Sequence, residues 1–524
     1  MAAARSPLYP YLVAVSFPLG LALLNVEELP GVAATVTVFG FVLLLTAVLD
    51  GVGRQVVRDA ARRALMISVV LAFSLGYSVV DVGLFRERIF STVLIPALFF
   101  GGVLPLFWVA LRVRNPERLA MFVRTAAVAF VCVQIVTAVP RVAALSGEAM
   151  EEEPEAVVPV GEARTEAAGV SRPDVYLIVL DGYARADMLE RYNQLDNTEF
   201  LDALRSRGFF ISDQARANYM YTRLSLSSSL NMRYLDEDIG PLGPNPPRGA
   251  IDPMLHQFEV AERMRQLGYT YRHVGGYWFV TRTSPIADEN VAYLPGFIEQ
   301  FTFVFLEQTI FHPFLKSIPA YGEWFQPAVV HLEQLKNIPK PEGRRGPVFT
   351  FAHVLCPHSP YVFDRNGIRS AETSLTEGWD RPLEYAEQVR YLNTQILKLI
   401  DEIDRVSGRD AIVLLHGDHG ARSLGQLGGT PEQNLEQLAT LAAYRVPPAA
   451  EVAIYPGMSL VNNWRVLFTT VFGATDLPLL EDRMFYSPLS RLYDVKEVDL
   501  AGHFIEGDAP TAAADRRPAS GLPQ

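Results

Sequence analysis

Apolar positions are distributed along this chain in two different ways. Up to about residue 145 they come in long unbroken runs; beyond it they come in short runs separated by polar, helix-spaced stretches. Five of the long runs, at 8–27, 31–49, 64–84, 92–112 and 120–140, approach the ~20 residues a membrane-spanning helix needs. The first lacks a small-residue cleavage site before Glu27 and Glu28 and is followed by four more, so it reads as a span, not a signal peptide.

After residue 172 the pattern changes period. Short apolar runs predict strands at 174–180, 269–274, 348–354 and 411–416, and helical spacing predicts helices at 197–207, from about Thr222, at 254–267, 381–406 and 462–473. Such alternation implies an α/β domain whose largely parallel sheet lies between helices, with functional residues at the C-terminal ends of the strands. The expected organisation is a multi-span α-helical membrane domain at 1–145, an acidic linker at 146–172, an α/β catalytic domain at 173–506 and a tail at 507–524. The linker, with Glu148, Glu151, Glu152, Glu153, Pro154 and Glu155, is too polar to bury a core, and the Ala/Pro-rich tail reads as disordered.

Charge adds an orientation. Arg5, Arg54, Arg58, Arg62, Arg63, Arg112, Arg114, Arg118 and Arg124 fall on alternate sides of the five runs from Glu27 and Glu28 or Arg86 and Arg88. This predicts an N-terminus inside the cytoplasm and, after five crossings of the inner membrane, a catalytic domain outside it. A net charge of −12 provides no basic footprint, which argues against a nucleic-acid partner. Two cysteines, Cys132 and Cys356, build neither a disulfide framework nor a cysteine zinc site.

Four places carry chemistry. Asp181 ends the run Val175–Leu180 and precedes Gly182, a position suited to a turn residue or to a carboxylate approaching a cation. Thr222 opens a helix rich in small hydroxylated residues, either as its cap or as a nucleophile favoured by the helix dipole; Arg223 beside it faces a phosphate or solvent. Gly417-Asp418-His419-Gly420 offers two adjacent metal ligands from one strand-end turn, for which a structural explanation is poor. His358, between Pro357 and Pro360 after a middle strand, is placed to donate to an anionic oxygen or leaving group. His353 and His416, inside strands, read as core or supporting histidines. Together Asp181, Thr222, Asp418 and His419 make an oxygen-rich set with one imidazole, suited to Mn²⁺, Zn²⁺ or Mg²⁺.

In this order, Asp181, Thr222, Pro357-His358 and Asp418-His419 behind a multi-span anchor, the chain resembles the sulfatase-like branch of the alkaline phosphatase superfamily. The resemblance is strongest to membrane-anchored members such as lipoteichoic acid synthase and the phosphoethanolamine and phosphoglycerol transferases. It implies an alkaline phosphatase/sulfatase-like fold, one divalent metal held by Asp181, Thr222, Asp418 and His419, Thr222 as the nucleophile of a phospho-enzyme, and His358 in substrate binding or proton transfer. The Cys-x-Pro-x-Arg and Ser-x-Pro-x-Arg motifs from which sulfatases make formylglycine are absent, as are recognisable ligands for a second metal. The implied activity is transfer of a phospho-head group, phosphoglycerol or phosphoethanolamine, from a phospholipid donor to a glycan or lipid acceptor. The alternatives are a phosphate- or sulfate-ester hydrolase of the same fold and a non-catalytic envelope scaffold. The segments 236–253, 276–298 and 421–461 are the expected walls of an acceptor pocket.

Overall fold

The apolar runs of the second half become strands buried on both faces, and the sheet they form positions everything else. In the computed structural model the described residues are 7–24, 31–77, 99–151, 172–243, 246–292, 300–311, 314, 327–368, 379, 381–425 and 429–505. The chain divides into two compact units. One comprises Met1–Glu155 with Pro295–Gln326, the other Ala156–Leu294 with Pro327–Gln524.

The first unit is helical: α1 (Tyr9–Leu24), α2 (Gly31–Val56), α3 (Ala60–Leu75), α4 (Leu104–Arg112) and α5 (Pro116–Glu151). Asp59 caps α3 by accepting from the Arg62 amide, and Arg63 turns back to Asp50 at 2.8 Å, fastening α3 to α2. Val36–Val56 and Pro116–Val139, 21 and 24 residues, are long and apolar enough to cross a membrane. Their large apolar side chains face outward, Leu44 at 66 % and Phe122 at 69 % exposure, an arrangement that water would penalise and lipid favours. These two are the candidate membrane spans of the unit among the described residues. Of the five expected spans these two reach full length among the described residues; α1 and α3 have 16 residues each, and 78–98, covering parts of the third and fourth, lie outside the described residues. The helix α5 also runs on through 146–151, placed in the linker by composition; Glu and Ala are good helix formers, so acidity there does not stop the helix. The expected tail, 507–524, lies outside the described residues.

The second unit is built on a seven-stranded sheet. Its strands are β1 (Val175–Leu180), β2 (Phe210–Ile211), β3 (Thr270–Gly275), β4 (Glu289–Ala292), β5 (Val348–Val354), β8 (Ile412–Gly417) and β9 (Ala442–Arg445), in the order β2-β9-β8-β1-β5-β3-β4. Two small pairs lie apart from it: β6 (Phe363–Asp364) with β7 (Gly367–Ile368), and β10 (Met484–Tyr486) with β11 (Lys496–Val498). The strand β1 is central and parallel to both neighbours, with Leu180 opposite Val354 on one side and Gly417 on the other. Within the sheet, β9 runs antiparallel to both its neighbours, β8 and β2.

Alternation along the strands sorts the two faces. Tyr176, Ile178 and Leu180 pack with side chains of α6 (Ala186–Asn193), α7 (Thr198–Ser206) and, further along the chain, Tyr385, Val389 and Ile396 of the long helix 382–407. Phe349 and Phe351 of β5 point to the other face, meeting Trp464 and Phe258. The predicted helix from Thr222 is α8 (Thr222–Asn231), all ten residues of which are buried. Its serines leave room for neighbours to approach closely. The helix expected at 254–267 is broken at Gln257 and Phe258, leaving a single turn and then α9 (Glu259–Gln266). After β4 the chain passes into the helical unit and contributes α10 (Gln300–Glu307), so the expected continuous domain 173–506 carries an insertion. The remaining helices of eight or more residues among the described residues are α11 (Pro327–Asn337), α12 (Pro382–Ser407), α13 (Pro431–Leu438) and α14 (Leu460–Thr470).

Candidate active site

Because β1, β5 and β8 are parallel and level, the residues beyond their C-terminal ends emerge together. Asp181 leaves β1 with its amide still bonded to the Val354 carbonyl at 2.9 Å, and its own carbonyl accepts from the His358 amide at 3.0 Å. Gly182 then turns at φ 67°, a left-handed conformation, and lies so close to the Trp379 indole that a Cβ would collide with it.

The second turn is held differently. Asp418 Oδ1 accepts from the amides of Gly182 and His419, both at 2.9 Å, while its carbonyl accepts from Ser225 Oγ at 2.6 Å. Thr440 Oγ1 donates toward the carbonyls of Tyr183 and His419 at 3.0 and 3.1 Å, tying the two turns to each other. Gly417 and Gly420 face backbone oxygens where a Cβ would stand.

These turns bring Asp181, Asp418 and His419 together, with one ligand atom of each within 4.8 Å of the others. His419 Nδ1 donates to the Gly420 carbonyl at 2.7 Å, which leaves the Nε2 lone pair facing the carboxylates. Nε2 lies 3.6 Å from Asp181 Oδ1, 3.6 Å from Asp418 Oδ2 and 3.4 Å from Thr222 Oγ1. Thr222 is the first helical residue of α8, and Tyr221 holds the capping position without a side-chain bond. The threonine hydroxyl is therefore not a cap and is turned toward the His419 imidazole.

Two buried oxygens, Asp181 Oδ1 and Asp418 Oδ2, have no hydrogen-bond partner among the described residues. Buried carboxylates left so are costly unless a cation is present, and two carboxylates, an imidazole and a hydroxyl form a donor set that fits one divalent ion. Burial alone would raise the Asp181 carboxyl pKa, but the imidazoles of His358, His353 and His419 outweigh it and hold it well below the usual carboxylate range. Burial depresses the His419 imidazole, favouring the neutral form a ligand requires.

Asp181, Tyr221, Thr222, Arg223, Arg248, Trp278 and His358 line a small cleft. His358 stands edge-on to Trp379 at 4.8 Å and donates from Nδ1 to the Ser359 carbonyl at 2.6 Å. Arg223 lines the cleft while bonded to Asp252 at 2.8 Å, so it faces the cavity and not bulk solvent.

Three contributors escaped the sequence reading. His353 is buried in β5, as expected of a core histidine, yet its Nε2 lies 3.4 Å from Asp181 Oδ2 while Nδ1 pairs with Thr281 Oγ1 at 2.9 Å. Strand alternation holds the missed signal: His353 is opposite Val179, two residues before Asp181. Arg422 is fully buried, 3.4 Å from His419 Nε2 and stacked over Tyr221 at 4.6 Å; no motif marks it. Trp278 lines the cleft although the sequence offered nothing to choose it. His416, by contrast, bonds its own turn through the Gly417 carbonyl, in keeping with a supporting role.

The fold is that of an α/β enzyme, and this constellation includes a group of side chains able to hold a metal ion. Residues 173–448 match the family model described as Sulfatase, and the chain belongs to the sulfatase family. No curated protein matches the chain. Among solved structures it is similar to the lipooligosaccharide phosphoethanolamine transferase A (EptA) from Neisseria meningitidis, at 14 % identity over 89 % of this chain and 92 % of that one, TM-score 0.39. It is also similar to the C-terminal periplasmic domain of EcEptC from Escherichia coli in complex with Zn, at 13 % identity over 61 % and 91 %, TM-score 0.38. A third is the phosphonate monoester hydrolase of Agrobacterium radiobacter, at 16 % identity over 60 % and 80 %, TM-score 0.37. By the family match the protein is an enzyme of the sulfatase-like group, and its first unit carries, among the described residues, two helices long and apolar enough to cross a membrane.

Proposed function

We propose that the chain is a metal-dependent transferase that moves a phospho-head group, phosphoglycerol or phosphoethanolamine, from a phospholipid to a glycan or lipid acceptor through a phosphothreonine at Thr222. The catalytic unit lies outside the cytoplasm, anchored in the inner membrane, in keeping with the arginine pattern of the first helices. The observation that carries the reading is the Thr222 hydroxyl, 3.4 Å from His419 Nε2 at the N-terminus of a buried helix and lining the same cleft as Asp181 and His358. The membrane anchor supports a lipid donor.

Asp181, Asp418, His419 and Thr222 would hold one Mn²⁺, Zn²⁺ or Mg²⁺. Such an ion supplies Lewis acidity where negative charge gathers on the threonine and phosphoryl oxygens. Thr222 loses its proton to solvent and its oxygen forms a bond to phosphorus as the bond to the diacylglycerol oxygen breaks. That leaving oxygen takes a proton from the His358 imidazolium. The α8 dipole adds positive potential at the attacking oxygen. In the second half-reaction an acceptor hydroxyl gives its proton to the same imidazole and its oxygen bonds to phosphorus as the bond to the Thr222 oxygen breaks; Thr222 takes back a proton from solvent.

The test is incubation of the full protein in detergent with divalent metal and head-group-labelled phospholipid, then mass spectrometry of the peptide containing Thr222. A labelled adduct that persists until a glycan or lipid hydroxyl is added supports transfer. Rapid appearance of free head group without acceptor makes the chain a hydrolase of the same fold. Thr222→Ala should lower turnover by about 10³-fold or more while leaving the protein folded, and retained activity would remove Thr222 as nucleophile.

A further inference from the structure

We propose that residues 300–311, an insertion within the catalytic half of the sequence, are a second attachment to the helical unit, independent of the segment joining α5 to β1. In sequence the chain leaves the catalytic unit after Leu294 and re-enters it at Pro327, and α10, between them, belongs to the helical unit. The helix packs on α2. Its sequence, Gln300 to Glu307, is apolar on most sides, and Phe301, Val304 and Phe305 are buried within the helical unit. Thr309, fully buried, turns the chain by donating to the Leu306 carbonyl at 2.8 Å.

Two contacts show what it docks to. The Ile310 amide donates to the Ser74 carbonyl near the end of α3 at 2.8 Å, where α3 has carbonyls free of helical partners. The Phe311 ring meets Phe41 of α2 edge-to-face, centroids 6.2 Å apart and planes at 85°. Beyond them Phe314 is 61 % exposed on a unit whose outward surface is already apolar. A backbone bond into a helix end and an aromatic pair are directional contacts. The partner they fit is therefore α2 and α3 of the same chain, not lipid alone.

The experiment places a site-specific protease sequence between residues 156 and 168 of the full chain, reconstituted in phosphatidylethanolamine/phosphatidylglycerol vesicles. After complete cleavage the catalytic fragment is expected to float with the vesicles and, in mild detergent, to co-purify with the tagged helical fragment. Release on cleavage overturns the proposal. So does flotation with separation in detergent, which would assign the attachment to lipid. Phe301→Ser, Phe305→Ser and Phe311→Ser together should reduce retention at least tenfold with the fragment's unfolding midpoint unchanged; undiminished retention counts against the segment. A variant-independent arm uses Phe41→Cys with Phe311→Cys and a short bis-maleimide. A covalent product joining the two cleaved fragments is expected, and its absence contradicts the docking.

Discussion

The two turns that meet at the site hold their carboxylates by opposite means. Asp418 is anchored, with one oxygen bound by two backbone amides and its carbonyl by Ser225, so its position is a property of the backbone. Among the described residues the Asp181 carboxylate accepts from no amide; it is surrounded by the imidazoles of His353 and His419 at 3.4 and 3.6 Å. One carboxylate is therefore held by the backbone, and the other by side chains that can adjust. Under the proposed function such a site would combine a fixed reference with a compliant partner for an ion and then a phosphoryl group.

The contrast can be broken most forcefully at the glycines. Gly420→Ala would drive a Cβ into the carbonyl oxygens of Glu436 and Ala439, which cannot yield, and is expected to cost about 3 kcal/mol or more in urea unfolding of metal-free protein. Next, Asp418→Ala orphans two buried amides and Asp181→Ala orphans none. The first should be less stable than the second by about 2 kcal/mol, although both lose metal binding in a calorimetric titration; equal stabilities would contradict the distinction. Gly182→Ala meets an indole and not backbone, so Trp379→Ala should recover its cost, leaving only left-handed strain of about 1 kcal/mol. No second substitution should rescue Gly420→Ala in this way.

The smallest effect concerns the support of the anchored turn. The Glu436 carboxylate accepts from the Ser423 and Leu424 amides at 2.7 and 3.0 Å, yet burial, its largest influence, raises its pKa above 4.5 despite those bonds. A carboxyl whose pKa is higher folded than unfolded binds protons more tightly in the folded state. Its contribution is greatest below the unfolded pKa and declines as pH rises through the folded one. The stability of wild type relative to Glu436→Gln should fall as pH climbs from about 4, measured by urea unfolding; a rise would contradict the assignment.

The same division governs how much could be seen in advance. Strands β1, β5 and β8, buried on both faces, appear in the sequence as unbroken apolar runs, and the acids that end β1 and β8 are visible as interruptions. Thr222 was visible as the first residue of a small-residue helix. The region 421–461, expected only as a wall of an acceptor pocket, holds α13 and β9. Thr430 and Gln433 form a capping box there, a signal present in the sequence, whereas Ala442–Arg445 is too short and alanine-rich to announce a strand. Arg422 and Trp379 were invisible because their place beside His419 depends on contacts that no local pattern encodes.

The edge position of β4 has a consequence for how such a chain can be remodelled. Each interior strand is obliged on two sides, so an added segment beside one of them must still return the chain in register. Having among the described residues only β3 as neighbour, β4 makes no such demand of the chain beyond it. Extra residues there cost little beyond closing a longer loop, a penalty that grows only with the logarithm of length. The sheet's margin is thus a docking port: a place where added chain, such as the segment that carries α10 here, leaves the central strands in place.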